Sequence, residues 1–223
     1  MPSRVLGRPS AFLFDCDGVL VDSVAATEAA WSTWARTYKP DFDLERDLQH
    51  GRRAREALEE LVAAELVEQA FEDLLAHEME SVDDTSAIAG AVALTASLPA
   101  GRWVAVTSGP RELALARLAA SGIVLPERLV TAEDVERGKP DPEPYLRGAE
   151  HAGVPIAECT VFEDAPAGIA AGRAAGAGWI VGVGAGAHVP WSDGSLPDVV
   201  VPDLSAVRFV DGELLIDEEL RAG

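Results

Sequence analysis

"FLFDCDGVLVDS", residues 12 to 23, runs from an apolar segment into two aspartates one residue apart and then a glycine. Ala11 to Phe14 reads as a short strand apolar on both faces, the pattern of a strand inside a parallel sheet. Burying carboxylates at the end of such a strand is costly unless something nearby compensates them. The rest of the chain therefore has to supply what Asp15 and Asp17 need.

Similar apolar runs recur at "WVAVTSG" (103 to 109), "TVFEDA" (160 to 165), "WIVGVGAG" (179 to 186) and "PDVVVPDL" (197 to 204). Helical text lies between them: in "PRELALARLAASG", Leu113, Ala116, Arg117 and Ala120 keep an i, i+3, i+4 register and Gly122 is a stop signal. Short apolar strands alternating with helices predict an α/β fold, a parallel sheet wound on both faces. One stretch interrupts the alternation. From about Val24 to Val82 the text is helix-like without a convincing strand, as in "ATEAAWSTWART" and "AREALEELVAAELVEQAFEDLLAHEME". In the second piece Leu58, Leu61, Val62, Glu65 and Leu66 would share one face, so a helical subdomain is expected after the first strand. "GVGAGAH" (182 to 188) reads as a turn after a strand.

With 223 residues, 48% of them hydrophobic, the chain can bury a sizeable core without staples. Its 18 Lys+Arg against 38 Asp+Glu give a net charge of -20, which argues against a nucleic-acid partner. Any anionic substrate must then be met by a local cation cluster or a metal. Cys16 and Cys159 lack metal or disulfide spacing and read as small buried apolar residues. Neither a signal peptide nor a run of eighteen apolar residues is legible, so the expectation is a cytoplasmic protein with no membrane association.

Ligands of parallel α/β sheets bind beyond the carboxyl ends of the strands. Those ends offer Asp15 and Asp17, then Thr107 and Ser108, then Glu163 and Asp164. Two acidic pairs repel each other unless a cation sits between them, and hard oxygen donors without histidine or cysteine point to Mg²⁺. The Thr107 hydroxyl, the backbone N–H groups of the turn Thr107-Ser108-Gly109 and the Lys139 ammonium would then hold phosphoryl oxygens.

"DCDGVLVDS", "VTSG", "RGKPDPEPY" and "VFEDAPAGIAAGRAAG" resemble, in order and spacing, the four signature motifs of the haloacid dehalogenase superfamily. The helical stretch after the first motif is similar to that superfamily's α-helical cap. The resemblance implies a Rossmann-like catalytic core formed by residues 1–22 and 86–223, with a cap at 23–85. "GKPDPEPY" and the fourth segment look most like the sugar and polyol phosphate phosphatases, and "VDSVAATEAAWSTWA" and "HGRRAREAL" look similar to the hexitol phosphatases, with glycerol-3-phosphatase and 2-deoxyglucose-6-phosphatase as relatives.

By this resemblance Asp15 is the nucleophile and a Mg²⁺ ligand, and Asp17 is the acid/base residue whose backbone carbonyl contacts the metal. Asp164 completes the metal site, with Glu163 a ligand directly or through water. Lys139, one of only two lysines, ties the nucleophile to the phosphoryl oxygens. "HGRR" begins the segment that carries substrate specificity in the resembled family, so His50, Arg52 and Arg53 are candidate contacts to sugar hydroxyls or phosphate. His77 and His151 fall in helical text as surface or packing residues.

Other activities share these motifs. A β-phosphoglucomutase-like phosphomutase would keep an acid/base aspartate at Asp17 but carry a histidine where this chain has Thr27. Phosphonoacetaldehyde hydrolase needs a cap lysine, and Lys39 reads as the end of a helix. Dehalogenases lack the second aspartate, because a halide leaves without a proton. A non-catalytic phosphosugar-binding protein would be expected to lose the nucleophile or a metal carboxylate, and this chain keeps both. The sequence thus predicts a phosphatase of small sugar or polyol monophosphates.

Overall fold

The computed structural model describes residues 3–217, apart from the side chain of Glu45; residues 1–2 and 218–223, the outer ends of the two expected core segments, lie outside the described residues. The strands are β1 (Ser3–Gly7), β2 (Ala11–Phe14), β3 (Val21–Asp22), β4 (Ser86–Ala87), β5 (Trp103–Val106), β6 (Leu129–Val130), β7 (Cys159–Glu163), β8 (Trp179–Val183), β9 (Val199–Val201), β10 (Val207–Val210) and β11 (Glu213–Asp217). The α-helices are α1 (Val24–Tyr38), α2 (Leu44–Asp47), α3 (Ala54–Leu61), α4 (Val67–Glu80), α5 (Ala91–Ser97), α6 (Arg111–Ala120), α7 (Glu143–Ala152) and α8 (Pro166–Ala175).

Six strands form one parallel sheet in the order β6-β5-β2-β7-β8-β9. Side chains of β2 alternate between two cores, as the two-residue period of a strand requires. Phe12 and Phe14 join the cluster with Trp103, Phe162 and Val181, while Ala11 and Leu13 join Val104, Val106 and Val161 on the other face. From β2 the chain builds outward through β5 and β6, then returns to the other side of β2 for β7, β8 and β9. The order of winding reverses beside β2, and a crevice at the strand ends is expected there.

Strands β2, β5, β7, β8 and β9 fall on the apolar runs of the sequence. The two-residue β6 and the antiparallel sheet β1-β11-β10 have no counterpart among those runs. The turn expected at residues 182 to 188 is present after β8, with Gly184 at φ 73°. Gly122, at φ 69°, follows the end of α6 as expected, but the buried face of α6 is Leu113, Ala114, Arg117 and Leu118, and Ala120 is exposed.

Helices α1 to α4 share a separate apolar cluster built on Trp31, Trp34, Leu58, Ala70 and Leu74. The Trp34 indole N–H donates to the Ala70 carbonyl at 3.0 Å, locking α1 to α4. Residues 54–80 are not one helix: α3 stops at Leu61, Val62 is extended, and a short 3₁₀ turn at Ala64–Leu66 precedes α4. A straight helix over this stretch would be about 40 Å long and would hold Leu58 and Leu74 apart. The break lets both enter one cluster and leaves Leu66 45% exposed, against the single face expected of it. No helix among the described residues is long and apolar enough to cross a membrane. Cys16 and Cys159 are both buried free thiols.

Candidate active site

Register brings the site together. Phe14 lies opposite Ala105 of β5 and Phe162 of β7, so Asp15, Thr107 and Glu163 emerge at the same edge of the sheet. The Asp15 N–H donates to the Phe162 carbonyl at 3.0 Å and continues the ladder one step past the strand.

Lys139, in the loop between β6 and α7, reaches under this edge and is wholly buried. Its ammonium donates to Asp15 Oδ1 at 2.7 Å, to Glu163 Oε1 at 2.7 Å and to the Val106 carbonyl at 3.1 Å. These are the three bonds an ammonium can donate. In this arrangement every N–H of the ammonium has a protein acceptor. Tyr145 of α7 donates to Glu163 Oε1 at 2.6 Å, and the other Glu163 oxygen accepts from the N–H groups of Asp164 and Ala165 at 3.1 and 3.2 Å. Glu163 is thus anchored on both oxygens.

Burial pushes the Asp15 carboxyl up to about 7; Lys139 opposes the shift and Glu163 adds to it. Burial, with Glu163 and Asp15 beside it, likewise lifts Asp164 well above the ordinary carboxylate range. Burial pulls Lys139 down, but the Asp15 and Glu163 carboxylates override it and hold the ammonium above its usual value. One lysine does not neutralise three clustered acids.

Those acids meet the requirement for a divalent cation. Asp15, Glu163 and Asp164 each offer an oxygen, and the three oxygens lie within 4.8 Å of one another. An all-oxygen set of this kind suits Mg²⁺. Gly18 backs the cluster at φ 82°, where a Cβ would come within 2.1 Å of Asp164 Oδ2. Only glycine both adopts that conformation and leaves the carboxylate its place. The Asp17 side chain is outside this group.

Asp17 is held by groups the sequence reading did not single out. Its Oδ1 accepts from the Ser23 hydroxyl at 2.7 Å and from Arg117 Nη1 at 2.9 Å. Arg117, whose side chain is 4% exposed, also donates through Nη2 to Thr27 Oγ1 at 3.1 Å and to Glu78 Oε1 at 3.3 Å. A helix of the sheet core thereby touches both α1 and α4. In the sequence Arg117 belonged to an apolar helix face, and only its charge on that face hinted at a buried partner. Burial raises Glu78, with Arg117 opposing the shift.

The cleft above these groups is lined by Thr107, Ser108 and Gly109 on one side and by Gln49, His50 and Arg52 on the other. One of the expected phosphate donors, the Gly109 N–H, has a protein acceptor, and the Ser108 side chain ties this turn to the opposite wall. The Ser108 hydroxyl is committed to the Gly51 carbonyl at 2.6 Å, and the Gly109 N–H donates to Thr107 Oγ1 at 3.0 Å. His50 is exposed at the cleft mouth, and Arg52 bonds Glu60 and Gln49 while lining it. Arg53 is not directed into the cleft. Its guanidinium pairs with Glu56 and donates to the carbonyls of Val135 and Glu136 at 3.2 and 2.9 Å.

A family model for haloacid dehalogenase-like hydrolases matches residues 9–176. Hexitol phosphatase A of Escherichia coli is 42% identical over 82% of this chain and 87% of its own length. Glycerol-1-phosphate phosphohydrolase 2 of Saccharomyces cerevisiae is 36% identical, over 90% of this chain and 85% of its own. Among solved structures, a hydrolase from Pseudomonas syringae superposes with a TM-score of 0.74 at 28% identity, covering 87% of this chain and 93% of that one. A β-phosphoglucomutase from Clostridium difficile, at TM-score 0.76 but 22% identity over 90% of this chain and 94% of its own, shares the fold. With its motifs at adjacent strand ends and relatives matched over most of their length, the chain belongs to the haloacid dehalogenase-like hydrolase family.

Proposed function

We propose that the protein is a Mg²⁺-dependent phosphatase of small sugar or polyol monophosphates, working through a phosphoryl group carried on Asp15. The observation that carries this reading is the pairing of Asp15, at the strand end, with the buried Lys139 while Asp17 stands two residues on beside the same cleft.

Asp15 forms a bond to phosphorus as the ester oxygen departs, which splits one hard displacement into two easier ones. Asp17 gives that oxygen its proton, then takes one from the water that hydrolyses the acyl phosphate and restores Asp15. Ser23 and Arg117 converge on Oδ1 of Asp17, so the mobile proton belongs on Oδ2. Asp15, Asp164 and Glu163 would hold the cation, with the Asp17 main-chain carbonyl as a further donor. When bound, Mg²⁺ neutralises charge on the phosphoryl oxygens. Lys139 favours the ionised form of Asp15 and aims it, and residues 23–85 act as the cap that excludes water. Polar groups along the cleft, Thr27, Glu28, Glu78 and Arg117, suit a hydroxyl-rich leaving group, in keeping with relatives named for hexitol and glycerol phosphates.

The test is phosphate release from a panel of sugar and polyol monophosphates, with and without Mg²⁺, comparing wild type with Asp15→Asn. Glucose 1-phosphate with β-glucose 1,6-bisphosphate serves as a mutase arm. Release that needs both the metal and Asp15 supports the proposal; isomerised product without release would replace it with a mutase.

A further inference from the structure

The turn at residues 49–53 roofs the cleft, and it is fastened to the loops that carry the site. Its Gly51 carbonyl accepts from Ser108, next to Thr107. Gly51 also lies against Ala165, next to Asp164. Arg53 makes the third attachment, to the loop that delivers Lys139. Its fork of N–H groups bonds two successive carbonyls, Val135 and Glu136. Glu56, in the first turn of α3, fixes the guanidinium from behind. The stem of Arg53 lies flat on Gly138, where an added Cβ would meet Nε at 2.7 Å, Cγ at 2.9 Å and Cδ at 3.0 Å. Those three atoms, all from Arg53, are the nearest neighbours of that position.

We infer that Arg53 is a latch: it holds the roof of the cleft down on the loop of Lys139, as a positioning residue rather than a ligand of the substrate. The chemistry fits the task. A planar guanidinium can bond two carbonyls and a carboxylate at once, where a lysine offers a single point of charge. The latch bonds main-chain atoms, so it is independent of which substrate lies beneath it. It couples two events. When the roof lifts, the Gly138–Lys139 segment loses the side chain packed on it, and Lys139 loses part of what holds it against Asp15. Because substrate must pass under the roof, the latch sets the fraction of molecules ready for chemistry, and apparent affinity scales with that fraction.

The inference rests on the phosphatase reading for its activity readout, so the test has two arms. In the first, Arg53→Ala, Gly138→Ala and the double variant are compared on a hexitol phosphate, glycerol phosphate and p-nitrophenyl phosphate. Arg53→Ala is expected to lower kcat/KM about tenfold, by the same factor on all three. Gly138→Ala, which touches no substrate and displaces Arg53, is expected to match it. In the Arg53→Ala background the added methyl has room, so the double variant should be no worse than either single one. In the second arm, hydrogen exchange of the amides at 49–53 is followed without substrate, and both single variants should exchange faster than wild type.

A loss confined to one substrate would make Arg53 a substrate ligand and overturn the latch. So would a Gly138→Ala penalty that persists in the double variant, since the glycine would then serve Lys139 directly, or exchange unchanged from wild type. If wild type releases no phosphate from any ester, the phosphatase reading fails, while the exchange arm still decides the latch.

Discussion

Lys139 donates to Asp15 Oδ1 at 2.7 Å in a place where the lysine has no solvent exposure and the aspartate 5%. Removing one partner of a buried pair strands the other charge, at a cost of about 3–5 kcal/mol. Lys139→Met is therefore expected to lower stability by that order and activity by at least about a hundredfold. Lys139→Arg should not rescue it, because the fully buried space fits an ammonium with three fixed acceptors. Urea unfolding and phosphate release measure the two effects separately.

Arg117 joins Asp17, Thr27 and Glu78 in one buried network. Arg117→Met leaves Asp17 without its guanidinium and Glu78 without a cation, and should destabilise the protein by about 3 kcal/mol or more. Glu78→Gln keeps an acceptor for Arg117 and should cost less than about 1.5 kcal/mol. Thermal unfolding of the two variants compares them, and equal losses would mean that Arg117 does not carry the pair.

Gly18 at φ 82° approaches Asp164 too closely for any side chain. Gly18→Ala should leave the sheet folded but push Asp164 out of the acidic cluster. The Mg²⁺ concentration for half-maximal activity should rise by about tenfold or more, with a smaller change in the far-UV spectrum than in activity.

Asp15 titrates near 7 in the metal-free protein, above its ordinary 3.8, through burial opposed by Lys139. Between those values the folded state binds the extra proton, so this group's contribution to stability is present at low pH and is lost as pH rises from about 4 to 7. A cation held by the ionised carboxylates reverses that loss. Added Mg²⁺ should raise Tm more at pH 8 than at pH 5, and an equal rise at both would place the cation elsewhere.

Most of the site was legible because its residues follow strands. Asp15, Thr107, Glu163 and Asp164 stand at the ends of apolar runs, and register brings Asp15 and Glu163 side by side with Thr107 one residue past the level of Asp15. Arg117, Ser23 and Tyr145 were not singled out, because their partners lie in other elements and nothing in the local text aims them. The two arginines of "HGRR" are chemically alike in sequence, and only the turn decides that Arg52 lines the cleft while Arg53 faces the Lys139 loop. The break at residues 62–66 was hidden because its residues are good helix formers. Packing Leu58 and Leu74 into one cluster overrides that propensity. The β1-β11-β10 sheet escaped because its strands sit outside the strand–helix alternation that guided the reading.

If Asp15 carries the phosphoryl group, rapid-quench mass spectrometry during turnover of p-nitrophenyl phosphate with Mg²⁺ will find it there. Asp17→Asn, which leaves the good leaving group unaffected but deprives water of its base, should accumulate the intermediate. One added phosphoryl group is expected on the peptide containing Asp15, more of it in Asp17→Asn than in wild type, and none in Asp15→Asn. Turnover by Asp15→Asn, or a phosphoryl group on any other residue, would contradict that role of Asp15.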